Sequence, residues 1–464
     1  MATALENLVE EQDSDPLIWP IKKKSLIKLD KIRNELNSDL SRLEHQVGYI
    51  IPSRVTGERI LDNVKQIRRE ASRIRFGTQF EEILREDILK NADSAEAYYG
   101  LLFNYDEPET DTSSKKYSND LEKSMKKFNV VKFLRDYYGE KVPIQTPYAT
   151  IIRLANHFNH EDIDTYAKKV YKIIALSKEI YIEGLFSKAK NEILPFTRDI
   201  ILLFGDFLNV PRESLDIKVE MDITNRKYSY FHSGTFYASI DPNEIYYYRE
   251  DGVDKEFTGS FLLEALHEGT HGLHQIISEN SFPGIKGLAP MDDAYNGVHM
   301  PLTEGIARMN ERLLIPLIVK RNKERFRLTD QDIEAMFYIS KFDFARRIPS
   351  ILFSILKVRE NTEPQERNAI KELSRIMDMP LYLRDQGILP DESLLENLYN
   401  VGTIIGTDYV KRCFKQLNSK YGRDTVDKNM SLILRGFLTG SWQLPTHYKF
   451  LTREYLPRVE KFFK

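Results

Sequence analysis

Apolar residues recur at three- and four-residue steps, with charges between them, through most of this chain, and that spacing predicts amphipathic helices. "LIKLDKIRNELNSDLSRLEHQV" (Leu26 to Val47) and "IDTYAKKVYKIIALSKEIYIEGLFSKAKNEI" (Ile163 to Ile193) carry it most clearly. The helical period runs from about Lys22 to Tyr99 and again from about Leu121 to Asn209. The polar stretch "NYDEPETDTSSKKYSND" (Asn104 to Asp120) between them reads as a surface loop. The period then changes. "DIKVEMDIT" (Asp216 to Thr224) alternates apolar and polar positions, and the aromatic runs "YSYFHSGTFYASID" and "EIYYYRE" follow, broken by Gly234, Pro242 and Asn243. These predict two or three short strands. After Gly259 the helical period returns and continues to Lys464. The expected fold class is mainly α: a helical half over 1–215, then a second half over 216–464 that opens with a small β-sheet at 216–250.

Composition agrees with a folded protein. Of 464 residues, 41% are hydrophobic and 30% charged. Lys and Arg number 67 against 70 Asp and Glu, a formal net charge of -3, so the totals offer no electrostatic case for nucleic acid or an anionic membrane as partner. The apolar run "LLIPLIV" (Leu313 to Val319) is far shorter than a membrane span. The start "MATALENLVEEQDSDPLIWP" has acids where a secretory signal has a basic region, and the one cysteine, Cys413, rules out an intramolecular disulfide. A cytoplasmic setting is the expectation, with Cys413 as a helical packing residue.

One stretch departs from ordinary amphipathic design. "FLLEALHEGTHGLHQIISEN" (Phe261 to Asn280) holds His267, His271 and His274, three of only nine histidines in the chain. At about 100° per residue the three imidazoles fall within about 60° of one another, with Leu262, Leu266, Leu273 and Ile276 roughly opposite. The segment predicts a helix over about 259–280 whose polar side carries imidazole. His267-Glu268-Gly269-Thr270-His271 is the HExxH pattern. Two imidazoles one turn apart converge on a single Zn²⁺ ion, and the Glu between them is placed to take a proton from a water molecule that attacks a polarised carbonyl.

A catalytic zinc keeps three protein ligands. His274 shares the face, but three donors from one straight helix do not readily surround one ion. "MPLTEGIARMNERLL" (Met300 to Leu314) supplies the alternative: Pro301 suits a first helical turn, and Glu304, Arg308 and Glu311 share one face of a helix over about 301–320. Glu304 is the third candidate ligand. Glu311 is placed to hold a ligand histidine from behind, and His274 is a supporting residue or a fourth donor.

These residues resemble the helical gluzincin metallopeptidases, most nearly the thimet oligopeptidase and oligopeptidase F family and the carboxypeptidase Taq family. In the first, HExGH is followed three residues later by another His, as His274 stands here, and the metal-binding Glu is followed two turns later by a second, as Glu311 follows Glu304. This chain has glycine one position early, at Gly269, with Thr270 where that family has glycine. The resemblance spans about Phe231 to Leu314. It implies a large, two-lobed helical protein with a zinc ion on the floor of a deep cleft, and an edge strand before the zinc helix that pairs with substrate backbone. "SGTFYASID" (Ser233 to Asp241) stands in that place, with Tyr237 and His232 as candidate substrate-binding residues. "GSWQLPTHYKF" (Gly440 to Phe450) resembles a late Pro-Thr-Tyr segment of the carboxypeptidase Taq family. It makes Tyr448, or His447, the candidate donor to an oxyanion. Arg346, Arg347, Arg359 and Arg435 are candidates for a substrate's terminal carboxylate.

The leading expectation is therefore a zinc-dependent peptidase acting on peptides or flexible chain ends, as a carboxypeptidase or an oligopeptidase. Two others stand beside it: a zinc hydrolase of a non-peptide amide, and a catalytically inert helical scaffold whose zinc is structural or absent.

Overall fold

The computed structural model describes residues 17–19, 24–45, 54–103, 194–215, 218–222, 230–232, 235–239, 246–250, 253–257, 259–283, 285, 288, 300–330, 332–334, 336–337, 340 and 398–463. The fold is mostly helical. Helices α1 (Lys24–His45), α2 (Arg54–Arg73) and α3 (Gln79–Phe103) pack on one another. Their buried positions give the reason: Leu26, Leu29, Ile32 and Leu36 on α1, and Ile60, Val64, Ile67 and Ala71 on α2, each form one stripe at helical spacing. Burying each Leu or Ile contributes about 1.5–3 kcal/mol. A capping box starts α3. The Thr78 hydroxyl accepts from the Glu81 N–H (3.2 Å), and the Glu81 carboxylate accepts from the Thr78 N–H (3.1 Å) and the Gly77 N–H (2.6 Å).

The helix α4 (Leu194–Phe207) precedes five short strands: β1 (Lys218–Asp222), β2 (Tyr230–His232), β3 (Thr235–Ser239), β4 (Tyr246–Glu250) and β5 (Val253–Phe257). The order of the first three is β1-β3-β2, with β1 parallel and β2 antiparallel to β3; β4 and β5 form an antiparallel pair. Tyr237 on β3 stands opposite Glu220 and Tyr230, and His232 on β2 opposite Thr235; their side chains lie outside what is described.

Helix α5 (Gly259–Ser281) lies against α4, β2 and β3, and α6 (Met300–Leu314) lies against α5. At Pro316, which has no N–H to donate, α6 passes into a π-turn over Ile315–Val319. The long α7 (Leu398–Tyr421) holds the buried Cys413, and α8 (Arg423–Lys428), α9 (Met430–Phe437) and α10 (Leu444–Phe450) follow. Arg346, Arg347 and Arg359 lie outside the described residues.

Two contacts between segments distant in sequence stand out. Helices α6 and α7 cross with backbone against backbone: a Cβ on Gly406 would overlap the Pro301 carbonyl, and one on Gly305 would overlap Gly406. Only glycine allows that approach. In the other contact, a buried ion pair of the first three helices meets residues 441–446. Arg33 of α1 donates to Asp87 of α3 through Nε (3.1 Å) and Nη2 (2.8 Å), and through Nη2 also to the Ser441 carbonyl. The other Asp87 oxygen accepts from the Gln443 N–H (2.9 Å) and from the Thr446 hydroxyl, so a carboxylate of α3 caps the start of α10.

Because a methyl at Gly406 meets backbone that cannot rotate away, Gly406→Ala is expected to destabilise the protein by about 3 kcal/mol, the upper part of the range for overpacking. Urea unfolding followed by far-UV circular dichroism measures this, and an unchanged midpoint would contradict the close crossing.

Candidate metal centre

Helix α5 buries Leu262, Leu266, Leu273 and Ile277 and turns His267 and His271 toward α6. The rotation of the two helices is set beside the histidines. The Thr270 hydroxyl donates to the Leu266 carbonyl (2.6 Å) and accepts from Asn310 Nδ2 of α6 (3.2 Å). Gly269, on the other side, faces Ile201 of α4, where a Cβ would come too close. The early glycine and the threonine after it thus each meet a different neighbour.

The donors of His267, Glu268 and His271 lie within 4.8 Å of one another. His267 Nε2 and His271 Nε2 stand 3.3 Å apart. The Glu304 carboxylate faces both, with Oε2 at 3.4 Å from His267 Nε2 and Oε1 at 3.3 Å from His271 Nε2. An ion held tetrahedrally at about 2.0–2.1 Å has donor-to-donor edges of about 3.3–3.4 Å. The shortest contacts have that spacing, each imidazole to a different oxygen of the carboxylate, so this group could hold a metal ion. Glu268 Oε1 is 4.0 Å from His267 Nε2, while Glu268 Oε2 is buried with no hydrogen-bond partner among the described residues. Behind His267, Nδ1 is 2.8 Å from Glu311 Oε1. In the neutral ring that acceptor keeps the proton on Nδ1 and leaves Nε2 as the nitrogen with a lone pair for an ion.

Burial and the Arg308 guanidinium push protonated His267 down, but Glu304 and Glu311 outweigh them and hold its pKa up at about 9. Burial acts to raise Glu304, yet His267 and His271 hold it well below the usual carboxylate range. Burial pushes Glu268 up, against the pull of His267 and His271. Each of these shifts follows from burial set against close opposite charge.

The other sequence candidates lie in different surroundings. His274 is fully buried, with Nε2 at 3.0 Å from the Gly440 carbonyl oxygen, outside the group formed by the other donors of α5. Arg435 is buried at the C-terminal end of α4, where Nη1 donates to the Asn209 carbonyl (3.1 Å) and reaches the Leu208 carbonyl (3.5 Å). Of the late pair, Tyr448 is 40% exposed and His447 fully buried. His447 Nδ1 is 2.6 Å from the Tyr409 hydroxyl, and no hydrogen bond among the described residues joins either side chain to His267, His271 or Glu304. Sequence reasoning missed Ser340, whose hydroxyl donates to Glu311 Oε2 (2.8 Å), and the pairing of Asn310 with Thr270. The second had a signal, since Asn310 sits next to Glu311 on a helix that faces α5.

Burial pushes His447 down to about 3, with His274 adding to the fall and the Gly436 backbone acting against it. Its folded pKa lies below the ordinary histidine value of about 6.5, so its neutral form contributes stability in full above that pH, and the contribution is lost as pH falls toward 3. Between pH 7 and pH 5 the protein is expected to lose about 2 kcal/mol that His447→Gln does not lose. Denaturant titrations of both proteins across that range measure the difference. No protein-family model matches the chain, and no curated protein matches it in sequence.

Proposed function

We propose that this protein is a zinc-dependent hydrolase that cleaves peptide bonds in peptides or flexible chain ends, as a carboxypeptidase or an oligopeptidase of the reducing cytoplasm. The observation that carries the reading is the convergence of His267 Nε2, His271 Nε2 and the Glu304 carboxylate at 3.3–3.4 Å, beside a buried Glu268 oxygen with no hydrogen-bond partner among the described residues. A zinc ion bound there supplies Lewis acidity, polarising a carbonyl and acidifying water.

The chain's own residues do the rest. Glu268, whose pKa burial raises, accepts a proton from the attacking water through its free oxygen and returns it to the departing amine. Glu304 and the two histidines supply donors, and Glu311 fixes the tautomer of His267 through Nδ1. Donation to the developing oxyanion falls to Tyr448, with His447 as the alternative. Tyr237 and His232 flank the substrate, and a cleft between two helical lobes, with the small sheet along one side, restricts access to extended chains. His274 and Arg435 support the surrounding helices.

A second reading has one observation in its favour: the raised pKa of His267, at about 9, lets imidazolium and carboxylate satisfy each other with no ion at all, as in an inert scaffold. Glu268→Gln separates the two. It keeps the shape of the site and removes the proton acceptor, so the variant is expected to bind zinc as the parent does while peptide cleavage falls by at least about a hundredfold. Mass spectrometry of a mixed peptide library, incubated with zinc-loaded parent and variant, reads this directly. Equal cleavage by both would refute the role of Glu268. Absence of cleavage by the zinc-loaded parent would favour the scaffold or a non-peptide substrate.

A further inference from the structure

Glu311 does not simply lie beside His267; it is held there. Its Oε1 accepts from His267 Nδ1 at 2.8 Å and from Arg308 Nη1 at 2.7 Å, while Oε2 accepts from the Ser340 hydroxyl at 2.8 Å. Ser340 is 1% exposed and Glu311 3%, so bulk water does not substitute for these donors. Ser340 is itself fixed by Arg312, whose Nη2 donates to the Ser340 carbonyl at 3.2 Å and whose Nε is 3.4 Å from the Ser340 hydroxyl oxygen.

The direction of these bonds follows from what each group can do. An ionised carboxylate only accepts and a guanidinium only donates, so the single hydroxyl hydrogen of Ser340 goes to Glu311, and its oxygen accepts from Arg312. The order is Arg312 to Ser340 to Glu311, with His267 donating to the same carboxylate from the opposite side. Donors on both oxygens stop the carboxylate turning about its terminal bond, whose torsional wells are broad for Glu. Oε1 therefore stays on Nδ1, and the imidazole plane stays fixed relative to Glu304.

We infer that Ser340 is a positioning residue of the candidate metal centre: through Glu311 it fixes the orientation of His267, so that the Nε2 lone pair points at the place shared with His271 and Glu304. This rests on the metal-binding reading given above. Outer partners of metal-binding histidines typically change metal affinity by about 10–100-fold, and a hydroxyl two bonds removed belongs at the lower end.

The test is zinc titration of the full chain in competition with a chromophoric chelator, for the parent, His271→Ala, Ser340→Ala and Ser340→Cys. Cysteine keeps the shape of serine and offers only a weak S–H donor, so it serves if the alanine variant does not fold. Imidazole ¹⁵N spectra of the zinc-loaded proteins give a second readout. The expected result is a zinc dissociation constant raised about tenfold in both Ser340 variants, with the Nδ1-protonated signature of His267 weakened or mixed. A purely structural role for Ser340 would lower thermal stability and leave that signature unchanged. Zinc affinity and spectra equal to the parent's in a folded Ser340 variant would overturn the role of Ser340 while leaving the metal centre intact. Equal zinc binding by the parent and His271→Ala would overturn the metal centre itself, and the positioning role with it.

Discussion

Burying charge is the constraint on which the centre of this molecule depends. His267, Glu304 and Glu311 are each less than a tenth exposed, within a largely apolar core. Removing one ionised group from water costs several kcal/mol even after relaxation, and only opposite charges and hydrogen bonds at close range offset it. Each of these groups has such a partner: Glu304 between two imidazoles, Glu311 among His267, Arg308 and Ser340. A slip of one residue between α5 and α6 would part His267 from both carboxylates and Glu304 from both imidazoles. Close packing of α6 on α7 at Gly305 and Gly406, and the bond from Asn310 to Thr270, hold the register that the charges require.

The turn at 438–443 ties this centre to the first three helices. From one side α5 grips it, with His274 at the Gly440 carbonyl and the Ser278 hydroxyl accepting from the Gly440 N–H at 2.9 Å. From the other, Arg33 and Asp87 reach Ser441, Gln443 and Thr446, and Ser94 accepts from the Gln443 side chain at 2.8 Å. Gly440 takes a φ of +85°, a left-handed conformation, with Trp442 packed where a side chain would lie. Helices α3 and α5 therefore share one rigid connection.

The mostly helical class was legible because helical spacing is a local property, repeated over many turns. At the centre, HExxH and the shared face of Glu304, Arg308 and Glu311 were legible for the same reason: helix geometry fixes which side chains meet one turn apart. What stayed hidden depends on where distant segments meet. Nothing near Ser340 marks it as a partner of Glu311, and nothing near Asp87 says that it caps a helix more than 350 residues later. His274 shows the limit from the other side. Its spacing puts it on the histidine face, but the position of Gly440, which no local pattern gives, decides what its ring bonds to.

The reach of the Arg33 and Asp87 contacts bears on how the chain is made. Ser441 and Gln443 are made 408 and 356 residues after the side chains that bind them. Until then α1–α3 hold a buried-type ion pair that lacks its final hydrogen bonds, and the aromatic face around Phe80 lacks Phe282, Trp442 and Phe450. Contacts so remote in sequence close slowly, and exposed apolar surface waits in the meantime. The same interlock that makes the finished core continuous puts its completion late in folding.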